Sequence, residues 1–170
     1  MKTFIYRVTL LLAGMALFTA CNDKNNNPQP DLTNCSGCQF LFTESADVLL
    51  PGYNLTSGEY RVFWSEVQKG PVTQKTFIKA PMTGTSFELN TADIQAGKVK
   101  VKDICPNCNM IEMMAYEGKV TGINTTPGVA ADKAKWLIEA KIIRVPAFAF
   151  GEARDTVYVK QYFTANFVNN

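Results

Sequence analysis

From Cys35 onward, apolar and polar positions alternate with a period of two. In "KVKVKDI" (98–104) the lysines at 98, 100 and 102 alternate with Val99 and Val101. In "KWLIEAKIIRV" (135–145) one face collects Trp136, Ile138, Ala140 and Ile142, with Lys135, Glu139 and Lys141 opposite. In "TVYVKQYFTANFV" (156–168) Val157, Val159, Phe163 and Phe167 share a face. Successive side chains of a strand point to opposite faces, so each segment predicts a half-buried strand. "EYRVFWSEV" (59–67) and "KTFIK" (75–79) add the β-branched and aromatic content of strands. Turn signals separate these runs: "PGYN" at 51, "SG" at 57, "KGP" at 69, "PMTGT" at 81, "TTPG" at 125 and "GEARD" at 151. Six to eight short strands at this spacing predict an all-β fold, an antiparallel β-sandwich or a small β-barrel, in one domain spanning 35–170. "TADIQAG" (91–97) predicts a single helical turn with Thr91 as its cap.

The first 34 residues do not follow this pattern. Lys2 and Arg7 precede a thirteen-residue apolar run, Val8 to Ala20. That run is shorter than the roughly 20 residues a membrane-spanning helix needs, and it ends in small residues, as a cleaved leader does. Cys21 follows at once, and "LFTAC" resembles the lipobox of bacterial lipoproteins. The resemblance implies that residues 1–20 are a signal peptide and that Cys21 becomes the N-terminus and carries acyl chains such as palmitate. Three such chains exceed the two-signal threshold for stable anchoring. Residues 21–34, "CNDKNNNPQPDLTN", hold one large apolar residue, Leu32, and read as a flexible tether. With Asn22 after the cysteine, the resemblance implies a protein of the bacterial cell envelope, lipid-anchored at the outer membrane.

Removing the leader changes the charge. The chain has 17 Lys+Arg and 15 Asp+Glu, and two of the bases are Lys2 and Arg7, so residues 21–170 carry 15 of each. A nucleic-acid footprint needs clustered cations, which argues against a nucleic-acid partner. Histidine is absent, so histidine triads and histidine acid–base catalysis are excluded. No phosphate-binding glycine loop or G-x-S-x-G elbow occurs. The expectation is a module without catalytic residues or cofactor, whose partner is a protein or a glycan.

Four cysteines remain, in "CSGC" (Cys35, Cys38) and "CPNC" (Cys105, Cys108). Outside the cytoplasm such cysteines form disulfides, and four allow three pairings. Chain entropy favours bonds between the pairs: closing about 70 residues contributes roughly 4 kcal/mol, closing one C-x-x-C roughly 2 kcal/mol. Alternatively, two C-x-x-C edges make a tetrahedral cage for zinc or iron, and "CPNC" is similar to the knuckle of zinc ribbons and rubredoxins. The gap between the pairs is longer than in that pattern, and Gln39 and Asn109 stand where it places glycine. A third reading is thiol–disulfide exchange. A strand leading into C-x-x-C is similar to the thioredoxin family, as is the Val-Pro of "RVP" ending at Pro146.

Three features have open roles. Asp103 shares strand parity with Val99, Val101 and Cys105, and either tunes the thiols or bonds turn amides. "MIEMM" (110–114) offers soft side chains for a core or an adaptable surface. The aromatics Tyr60, Phe63, Trp64, Tyr158, Tyr162 and Phe163 fall on both parities of their strands, which is consistent with a second aromatic face.

Overall fold

The computed structural model describes residues 31–148 and 154–166. The leader, Cys21, the tether up to residue 30, the turn at 151 and Phe167 lie outside the described residues.

The alternating segments are strands of a single curled sheet. In chain order these are β1 (Gln39–Leu49), β2 (Asn54–Ser57), β3 (Tyr60–Lys69), β4 (Val72–Pro81), β5 (Ser86–Leu89), β6 (Val99–Ile104), β7 (Met113–Asn124), β8 (Lys135–Pro146) and β9 (Asp155–Ala165). They are ordered β5-β7-β8-β9-β1-β3-β4-β6, with β2 added against β1. All pairings are antiparallel except β1 with β9. The sheet forms a half-barrel, so the all-β, barrel-like expectation for one domain describes the fold.

The inner face follows the sequence parity. Trp136, Ile138, Ala140 and Ile142 of β8, Val157, Val159 and Phe163 of β9, and Val99 and Val101 of β6 are buried, while Lys135, Glu139 and Lys141 are exposed. Phe42, Phe63 and Ile78 meet them from the opposite wall, with Phe63 edge-on to both Trp136 and Phe163. One charge lies among these rings. Arg61 sits 4.5 Å from the Trp136 ring centroid and donates to Glu44 at 2.6 and 2.9 Å and to the Met82 carbonyl at 3.1 Å. Those partners are what allow a guanidinium to lie in a low-dielectric site.

β3 and β4 are buried on both faces, which explains their aromatics at both parities. The chain after β1 turns back as an arm, 50–57, across their outer side. There Tyr53 and Leu55 pack on a second core of Ala46, Val48, Val62 and Phe77, beside Trp64.

The two end strands of the sheet, β5 and β6, are consecutive in the chain, so residues 90–98 span the gap between the sheet's edges. That segment is a short helical turn, α1 (Thr91–Asp93), continued by a wider turn, Ile94–Lys98, whose Ile94 is buried. Its cap is Asn90, not Thr91 as the sequence predicted. The Asn90 side chain accepts from Ala92 and Asp93, and Asp93 accepts from the Asn90 amide. Thr91 instead accepts the Gly118 amide across the gap, at 3.3 Å. Among the described residues no backbone ladder joins β6 to β7; side chains close the seam. Lys102 pairs with Glu112 at 2.7 Å, and Arg144 of β8 reaches Asp103 of β6 at 2.7 Å.

Candidate functional site

Three features are candidates for function: the cysteine pairs, the rim that carries them and a groove under the β1–β2 arm.

Each cysteine pair closes on itself. The Cys35 and Cys38 sulfurs lie at bonding distance with Cα atoms 5.8 Å apart; Cys105 and Cys108 do the same at 5.3 Å. Local backbone explains both. In "CPNC" proline supplies the fixed φ for the second position of a turn, and the Cys108 amide donates to the Cys105 carbonyl at 3.3 Å. In "CSGC" Gly37 takes φ +74°, which a β-carbon disfavours. The bonds between pairs that chain entropy favours do not form, for a reason of strand order. Gln39 is opposite Glu66, Glu66 opposite Lys75, and Lys75 opposite Lys102. Two strands therefore separate the pairs, about 14 Å along the sheet at the usual strand spacing, well beyond the roughly 7 Å a disulfide tolerates. The same separation opposes a four-cysteine cage. Among the described residues no three His, Cys, Asp or Glu side chains converge as metal ligands. Nor does a helix follow Cys108: the chain runs through irregular backbone into β7, so the helix N-terminus that activates a thioredoxin-type thiol is missing here.

The first clasp has a further role in register. Leu41 of β1 is level with Thr164 of β9, while the Thr33 amide donates to the Lys160 carbonyl at 2.8 Å. Eight residue steps along the path into β1 thus run beside four along β9. The four residues Cys35–Cys38 account for the excess, so the clasp pinches a closed loop out of the strand path. Replacing either pair by serines is expected to cost about 2 kcal/mol, with the fold retained, because each bond closes only a four-residue loop. Urea denaturation of the two double variants checks this, and a cost near 4 kcal/mol for either would contradict local pairing.

Asp103 does point inward, but neither toward thiols nor toward turn amides. It accepts from Gln74 at 2.9 Å and from Arg144 at 2.7 Å, and Arg144 also holds Asp155. Lys69 donates to the Gln74 side chain at 2.9 Å. This chain of bonds joins β3, β4, β6, β8 and β9 at the rim of the second clasp. The Arg144 hydrogen bond holds the Asp155 carboxyl below its ordinary range. On the outer side, the hydrogen bond to Glu112 raises the Lys102 ammonium above its ordinary value.

"MIEMM" is a surface and not a core. Met110, Ile111 and Met114 are exposed, as are Ile104 before the clasp and Phe148 after β8. Of the outward aromatics, Tyr158 is exposed and Tyr162 lies under the Lys135 ammonium, 4.2 Å from its ring centroid.

A concavity of about 680 Å³ lies between the arm and the outer face of β1, β3 and β4. Its floor is Trp64 and Phe77, Tyr53 forms a wall, and Thr43, Asn54, Thr56 and Lys75 add polar groups. Tyr53 stacks toward Phe77 with ring centroids 6.0 Å apart, and the Trp64 indole N–H is covered without an acceptor. Of these residues the sequence singled out Trp64 alone. The others join it only because the arm folds back, an event that no local pattern announces; "PGYN" marked the turn but not its destination. Comparison with protein-family models, with curated proteins and with solved structures finds no match for this chain.

Proposed function

We propose that this protein is a lipid-anchored, non-catalytic binding module of the bacterial cell envelope, attached through Cys21, and that the groove beneath the β1–β2 arm is its ligand seat. The observation that carries the binding reading is the groove's mixed lining: aromatic rings below, hydroxyl and amide groups around them. That combination suits a saccharide, whose C–H faces lie on aromatic rings while its hydroxyls exchange hydrogen bonds with Thr, Asn and Lys groups. The Trp64 indole N–H, buried without an acceptor, supports this, since a ligand oxygen would supply one once the ring turns it toward the groove. Anchoring is supported by the "LFTAC" junction and the asparagine-rich segment after it. The disulfides act as clasps on the sheet in this reading, and no resident zinc or iron is assigned to them.

Two measurements test the two halves. Cys21→Ala is expected to move most of the protein from the membrane to the soluble fraction; a variant retained as fully as the unaltered protein would sink the anchor. Titration with envelope-derived oligosaccharides is expected to change tryptophan fluorescence, and Trp64→Ala to weaken binding about tenfold or more, the loss of one stacking residue. An unchanged affinity in Trp64→Ala would remove the groove as the seat.

A further inference from the structure

The rim around the Cys105–Cys108 clasp gathers five of the ten exposed large hydrophobic side chains of the described residues, including the two most exposed. Phe148 is 90% exposed and Ile111 72%, with Ile104, Met110 and Met114 beside them. They cluster at one end of the sheet, on the segments that flank the clasp and on the end of β8. Met113 is opposite Pro146, and the Ala147 amide donates to the Glu112 carbonyl, so continuing that ladder puts Ile111 across from Phe148. The Lys102–Glu112 pair ties β6, which ends at Ile104, to the same segment. The two charges inside the patch neutralise each other. An exposed apolar cluster of this kind marks an interaction site.

The course of the chain says what covers it. Thr33 is bonded to Lys160 on both sides: its amide to the carbonyl, its hydroxyl to the amide. β1 runs parallel to β9, so from Thr33 back to Asp31, the first described residue, the chain runs in the direction of the β9 start, Asp155, which is opposite Arg144 on the clasp rim. Nine residues lie between Cys21 and Asp31. Chain length alone limits that reach to about 35 Å, so a lipid on Cys21 would keep the domain near the bilayer.

We infer that this rim is a lipid-contacting face: Ile111, Phe148, Met110, Met114 and Ile104 dip into the headgroup boundary of the bilayer and fix the domain's orientation on it. The inference rests on the lipid-anchored reading. Soft, unbranched methionines beside a bulky Ile and Phe suit a disordered apolar boundary better than a shaped pocket. With this rim down, the far rim, where Val129 sits in the β7–β8 connection, faces away from the lipid.

The test uses the full chain, processed through its own leader and reconstituted in phosphatidylethanolamine–phosphatidylglycerol vesicles that contain brominated lipid. Ile111→Trp and Val129→Trp each add one reporter at an exposed position. The added fluorescence at 111 is expected to be quenched about twofold or more relative to that at 129, because bromines quench only at short range within the acyl boundary. Equal quenching would overturn the inference and leave the patch for a protein partner. Mass analysis of the Cys21 peptide reads the anchor separately. If Cys21 carried no lipid, the anchor would fall while the rim remained open to test. For that, the Cys21→Ala chain is floated with the same vesicles. Weak co-flotation, reduced about fivefold by Ile111→Glu with Met114→Glu, is the expected result; co-flotation insensitive to those changes would overturn the rim assignment.

Discussion

Gly118→Ala is expected to destabilise the domain by about 3–5 kcal/mol, from strain and overpacking together. Gly118 lies beyond the irregularity in β7 where the register to β8 shifts between Ala115 and Glu117. It adopts φ +141°, and a β-carbon there would stand 2.0 Å from the Lys141 carbonyl oxygen. The obstacle is backbone, so no side chain can swing aside. Nor can the strand retreat, because Gly118 is opposite Ile142 in the longest ladder of the sheet and its amide is held by Thr91 across the seam. Against a typical domain stability of about 5–15 kcal/mol, such a loss is a large share of the total. Gly128→Ala is the control: it also has positive φ, at +83°, but has no atom within 4 Å of the added carbon. It should cost only backbone strain, about 1 kcal/mol. Urea midpoints for the two variants decide the point; equal midpoints would contradict the described β7–β8 approach.

The second large effect is expected at Arg144. Its side chain is only 4% exposed and joins Asp103 to Asp155 across the seam. Arg144→Ala leaves the largely covered Asp103 carboxylate with Gln74 alone, and should cost about 3 kcal/mol, as does loss of one partner from a buried pair. Replacing both Arg144 and Asp103 by apolar residues of similar volume should recover much of that loss. A pH signature accompanies it. Because Arg144 holds the Asp155 pKa below its unfolded value, the Asp155 contribution is present above the ordinary carboxylate range. It is lost as pH falls through the lowered value. Wild-type stability should therefore decline below about pH 4 more steeply than that of Arg144→Ala. Parallel pH profiles for the two proteins would remove Arg144 as the cause.

What the sequence disclosed tracks how one-sided each strand is. β6, β8 and β9 bury one face only, so Val99, Trp136 and Val157 begin alternating runs that can be read directly. β1 could not be read this way. "QFLFTESADVL" serves the inner core at Phe42 and the outer one at Ala46 and Val48, and changes register between Thr43 and Ala46. β7 is interrupted by its own register shift and by Gly118. The cysteine spacing identified the clasps, but loop entropy misjudged their pairing because strand order, a non-local fact, keeps the pairs apart. The groove was the least legible element. Tyr53 and Asn54 matter there only through where the arm lands.

The pinched loop at Cys35–Cys38 also has a mechanical consequence. A pull on the N-terminal end would load the Thr33–Lys160 bonds and the parallel β1–β9 pairing in shear, with several hydrogen bonds sharing the force at once. Unclasped, the stretch from Cys35 to Cys38 could pay out to roughly 10 Å of extended chain; the bond holds its ends at 5.8 Å. The slack is locked out of the load path, so tension arriving at Thr33 passes into the sheet without first uncoiling a loop. Under reducing conditions the same protein would be a more compliant one.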